Sequence, residues 1–145
     1  MNFVIEQCLH QISVTLNSEL NIEEHNAWLV PAESPNLILT MLWLDEEKDE
    51  LTLSLTLGTF DEHAHKQLAV ELLTANLGLA VYRGPKLSYS PGSRFLTMLD
   101  SLLCHPNTIV ETGEAVADFV RYGIEICEKM NEQGYNLHID MAASK

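Results

Sequence analysis

The sequence predicts an α+β fold, a layer of helices on an antiparallel sheet, and three observations predict it. Apolar residues recur at helical spacing over residues 3–16 and again over 113–133. A strict two-residue alternation runs from Leu51 to Leu57. Between these segments, short apolar runs are joined by short loops, the connection typical of antiparallel neighbours. A chain of 145 residues is one domain's worth. Such a length buries roughly 68–70% of its unfolded surface, enough for a core without staples. The expected division is one domain over 1–134 and a loose tail over 135–145.

The first helix carries Phe3, Ile5, Cys8, Leu9, Ile12 and Leu16 on one apolar stripe. A polar break follows over Asn17 to Asn21. Ala27, Trp28, Leu29 and Val30 form a short strand that stops at Pro31, and residues 32–36 are a turn by their Pro, Ser and Asn content. The next strand spans Leu37 to Leu44. Leu37, Leu39, Met41 and Trp43 line one face, while Ile38, Leu42 and Leu44 line most of the other, with Thr40 alone polar. A strand apolar on both faces needs a cover on both. Asp45 to Glu50 is a charged hairpin loop, and Leu51, Leu53, Leu55 and Leu57 then alternate with Thr52, Ser54 and Thr56 until Gly58 ends the strand.

Asp61 is placed to cap a second helix over 62–77, with Ala64, Leu68, Leu72, Leu73, Ala75 and Leu77 as its stripe and Gly78 at its C-terminal end. Leu79 to Pro85 are a connector or a weak strand, and a hairpin follows, Lys86 to Tyr89 and Arg94 to Leu99 around Ser90-Pro91-Gly92-Ser93. After a break at Cys104 to Asn107, Thr112 is placed to cap a closing helix over 113–133. Val116, Phe119, Val120, Gly123, Cys127 and Met130 face its core, and Gly134 stops it. The predicted order is α-β-β-β-α-β-β-α, a twisted antiparallel sheet with three helices. There is no internal repeat.

Eight Lys and Arg face 21 Asp and Glu, a formal charge of −13. That surface repels phosphate, so neither nucleic acid nor an anionic membrane is an expected partner. Glu6 interrupts an N-terminus that has no basic start, so no signal peptide is expected. The longest apolar run, Leu37 to Leu44, is far too short to span a bilayer.

Three widely spaced cysteines, Cys8, Cys104 and Cys127, form no CxxC and fit a reducing compartment. Cys8 and Cys127 fall on apolar stripes and read as small core residues. Cys104 beside His105 is the nearest approach to a thiol nucleophile, yet catalytic partners are neighbours in space and not in sequence. His63 and His65 are two residues apart on a helix, so they point about 200° from each other and do not serve one ion. No HExxH, P-loop, GxGxxG or EF-hand loop occurs. No metal, no cofactor and no catalytic residue are expected. The apolar surplus in Trp28, Trp43, the two-faced strand and the first-helix stripe has two readings: an ordinary core, or an open groove kept soluble by charge that binds another chain.

The element order, the length and the acidity resemble the class I type III secretion chaperones, of the Tir-chaperone type. Leu72-Leu73-Thr74-Ala75-Asn76-Leu77 resembles the ending of that family's second helix, Lys86 to Leu99 its Pro-Gly hairpin, and Thr112 to Met130 its closing helix. The apolar stretch Leu79 to Arg83 departs from the family's Gly-rich one. The resemblance implies a homodimer of the bacterial cytoplasm, without catalysis or cofactor. The resemblance further implies that such a dimer holds the N-terminal segment of a secreted effector extended and helps deliver it to the secretion ATPase. It implies effector contacts at Ile5, Leu9, Ile12, Trp28, Leu39, Met41 and Trp43, and a dimer interface at Leu68, Leu72, Leu73, Leu77, Leu87 and Tyr89. Two other functions compete: sequestering a regulator of secretion genes, and an enzyme using Cys104 with a remote histidine such as His25 or His138.

Overall fold

The computed structural model describes residues 2–43, 48–59, 72, 74–76, 84–89, 95–135 and 137–138. Helix α1 is Phe3–Leu16. It starts because the Asn2 side chain accepts a hydrogen bond from the Ile5 N–H at 2.8 Å. It ends because Asn17 turns left-handed at φ 50° and its N–H returns to the last turn. Six strands follow: β1 (Asn21–Ile22), β2 (Asn26–Leu29), β3 (Ile38–Leu42), β4 (Glu50–Thr59), β5 (Lys86–Tyr89) and β6 (Phe95–Leu103). Helix α2 closes the order at Ile109–Glu132. Residues 72 and 74–76 are helical, inside the predicted second helix. The rest of that helix, with Asp61 and Gly78, lies outside the described residues, as do Leu44 and the acidic residues 45–47.

The sheet order is β1-β2-β3-β4-β6-β5, with every pair antiparallel. The fold is α+β, as the periodicities predict. Five details differ. Strand β1 lies in the predicted polar break; Asn21 pairs with Trp28 through the main chain, a signal two residues are too few to show. Gly58 does not end β4. The strand slips register between Thr56 and Gly58 and continues to Thr59, and the φ of 134° at Gly58 is open only to glycine. Strand β6 runs four residues past Leu99. Thr108, not Thr112, caps α2; Thr112 sits buried in the first turn and its hydroxyl donates to the Thr108 carbonyl at 2.9 Å. Finally, the chain after Gly134 (φ 92°) is docked and not loose, at least to residue 138: Tyr135 is buried and His138 pairs with Thr59.

The core lies between one face of the sheet and the two long helices. Ile5, Cys8, Leu9, Ile12 and Leu16 of α1 meet Leu39, Met41 and the leucines of β4 in one cluster with Val116, Phe119, Val120 and Met130 of α2. Burying a leucine or isoleucine completely stabilises by about 1.5–3 kcal/mol, so this cluster dominates the fold. Phe3 is not part of the stripe; it is 71% exposed at the first turn. Helix α2 approaches the sheet closely at Gly123, where a Cβ would press on Leu55, Leu57 and Met98.

Candidate partner-binding surface

Alternation gives the sheet two unlike faces. Leu39 and Met41 of β3, Leu51 to Leu57 of β4 by twos, and Leu96 and Met98 of β6 turn to the helices and are buried. Their neighbours turn the other way and stay half-buried. The pairing register lines these up in rows. Trp28 stands opposite Thr40, Thr40 opposite Ser54, and Ser54 opposite Leu99. A second row runs Asn26, Leu42, Thr52, Ser101, and a third Ile38, Thr56, Thr97. Directly opposite side chains in such pairs are roughly 5 Å apart, so each row is a continuous surface. The outer face is thus a central column of Ser and Thr on β4. Trp28, Ile38 and Leu42 flank it on one side and Leu99 on the other.

Of the seven residues implied as effector contacts, Trp28 alone lies on this face. Ile5, Leu9, Ile12, Leu39, Met41 and Trp43 are in the core, each no more than 2% exposed. The physical reason is that the α1 stripe, α2 and the inward face of the sheet close into one buried cluster, so this apolar surface is already covered by the chain itself. For these six positions the ordinary-core reading of the surplus holds. Ile38, Leu42 and Leu99 share the outer face with Trp28 and are half-exposed. For Ile38 and Leu42 the signal was present in the two-faced pattern of the Leu37 to Leu44 run, but pattern gives faces and not which face the helices choose.

Three of the residues implied for a dimer are described, Leu72, Leu87 and Tyr89. Leu87 is buried on β5, Tyr89 is half-buried two residues on, and Leu72 packs partly buried against the same core. Leu68, Leu73 and Leu77 lie outside the described residues. Strand β5 is the last strand of the sheet, and the Asn76 side chain covers part of its open edge.

The cysteines are placed for packing. The side chains of Cys8 and Cys104 are neighbours in the core. Burial first, then the Cys8 contact and the charge of Asp49, push the Cys104 thiol far above its usual range. Cys127 is pushed up to about 11 by burial, with Glu128 adding to it, and its Sγ lies 3.7 Å from the Leu57 carbonyl. The groups acting on Cys104 are a second thiol and a carboxylate, not an imidazole. His138 pairs with Thr59, and His25 contacts Glu24 at 3.7 Å. The geometry therefore gives the thiol-enzyme alternative no activated nucleophile. No described helix is long and apolar enough to cross a membrane.

No family model matches the chain. No curated protein matches it either. Among solved structures, the chain is similar to one in the structure of the HopA1–SchA chaperone–effector complex, with a TM-score of 0.61 and 16% identity. The match covers 89% of this chain and 94% of that one. At this identity the likeness is one of fold, an antiparallel sheet with helices packed on it.

Proposed function

We propose that the protein is a type III secretion chaperone that binds the N-terminal segment of a secreted effector and keeps it extended and soluble. The observation that carries this reading is the fold likeness to a chain of a chaperone–effector complex over nearly its whole length. The outer sheet face supplies a surface suited to the task. An extended client lying across it meets Trp28, Ile38, Leu42 and Leu99 with its apolar side chains and the Ser and Thr column of β4 with its polar groups. The net charge of −13 keeps such a surface soluble and favours a client that is not acidic.

The reading includes a homodimer in the bacterial cytoplasm, formed near β5 and the helical residues around Leu72, which doubles the contact area for a disordered client. Handover to the secretion ATPase belongs to the same reading. The test is co-expression of the chain with candidate effectors, followed by affinity capture and mass measurement of the complex. Capture of an effector through its N-terminal segment supports the reading. Capture of a cytosolic transcription regulator instead favours the sequestration alternative.

A further inference from the structure

Strand β4 is longer than its neighbour. Strand β3 stops pairing at Ile38 opposite Thr56, while β4 continues to Thr59. On the other side β6 pairs to the end, Phe95 opposite Thr59. Among the described residues no strand lies on this edge of β4 at its last residues, and His138 fills it. The Thr59 N–H donates to the His138 carbonyl at 2.6 Å, and the His138 N–H donates to the Thr59 carbonyl at 3.0 Å. The Thr59 hydroxyl adds a contact to the same carbonyl at 3.1 Å. Gly58 makes room for this. A Cβ there would stand 2.8 Å from the His138 oxygen, and its φ of 134° already excludes a side chain. The segment is held from behind by Asn131, whose Oδ1 accepts the Leu137 N–H at 2.6 Å.

This pairing is one residue pair long and lies at the surface. Longer ladders than this are only marginally stable alone, and an open edge is a template for any extended chain. We propose that the edge of β4 at Thr59 is a strand-docking site, closed by residues 137–138 and opened to an extended partner segment when they leave. The occupant seen there, a stretch of extended backbone, states the chemistry of what fits: a main chain offering one N–H and one C=O in register, with no side-chain demand at Gly58. In the chaperone reading, on which this part rests, the partner is the effector segment, which adds to the sheet as it crosses the outer face.

The test uses amide NMR on the full chain and on two variants, His138→Pro, which removes the N–H given to Thr59, and Asn131→Ala, which frees Leu137 without touching β4. The probe is a synthetic peptide of residues 135–141. In the intact chain the Thr59 amide is protected and the peptide leaves its signal unchanged. In both variants its exchange rises at least tenfold and the peptide shifts it. Fast exchange at Thr59 in the intact chain, or a Thr59 signal that ignores the peptide in both variants, overturns the proposal. With a bound effector, exchange at His138 rises while Thr59 stays protected; protection of both residues overturns the exchange of partners. An effector that never binds removes the chaperone reading, and the peptide result still decides whether the edge is a docking site.

Discussion

The side-chain amide of Asn76 hydrogen-bonds both main-chain groups of Leu87. Its Nδ2 donates to the Leu87 carbonyl and its Oδ1 accepts the Leu87 N–H, each at 2.8 Å. Leu87 lies on β5, the last strand of the sheet, so Asn76 stands where a further strand would. One side chain thereby ties a helical segment to the sheet and blunts an edge that would otherwise recruit other chains. Asn76→Ala leaves two half-buried main-chain groups without partners, and we expect a loss of about 2 kcal/mol in urea unfolding. Asn76→Asp keeps the acceptor but loses the donor, and lies between the two.

The close approach of α2 to β4 at Gly123 makes a second prediction. The added methyl in Gly123→Ala has Leu55, Leu57 and Met98 in its way. Overpacking of this kind costs about 1–3 kcal/mol, and thermal unfolding followed by circular dichroism reads it. An unchanged midpoint contradicts the packing described.

How much of this was legible in the sequence follows from what a pattern encodes. The α1 stripe and the alternation of Leu51 to Leu57 name their own elements, because each fixes a spacing that only one backbone satisfies. Thr108 as a cap was not legible, since Thr108 and Thr112 are the same residue type and Thr108 makes no side-chain capping bond. Strand β1 was hidden by its length, and the docking of His138 rests on main-chain atoms that any residue carries. The same limit applies to the candidate surface. Ile5, Leu9 and Ile12 look alike whether they meet a client or the protein's own core, and only the closing of the buried cluster around them decides.

The thiols predict both chemistry and pH behaviour. Cys8 and Cys104 are buried and Cys104 is held strongly in its neutral form, so alkylation by iodoacetamide at neutral pH proceeds more slowly than in the unfolded chain. Rapid single-site labelling of Cys104 contradicts this. The raised values also set a sign. A thiol whose folded pKa lies above its unfolded value of roughly 8.5 contributes stability that is present below that pH. For Cys127 this contribution is lost as pH rises toward about 11. Unfolding midpoints are therefore expected to fall on the alkaline side, and less steeply in Cys127→Ala.

Burial separates core from surface among the apolar residues. Leu9→Asp places a charge in the closed interior and is expected to abolish the cooperative unfolding transition. Trp28→Asp changes a half-buried residue on the outer face and is expected to leave far-ultraviolet circular dichroism unchanged. If Leu9→Asp remains folded, the interior assigned to α1 is wrong.

The central claim is that the outer sheet face around Trp28 receives an effector. Its most direct test is native mass spectrometry of the chain purified gently from its own bacterium, beside the Trp28→Asp variant. The account predicts two copies of the chain carrying one secreted protein, and two bare copies for the variant. A monomer with no partner, or an effector held equally by Trp28→Asp, contradicts it.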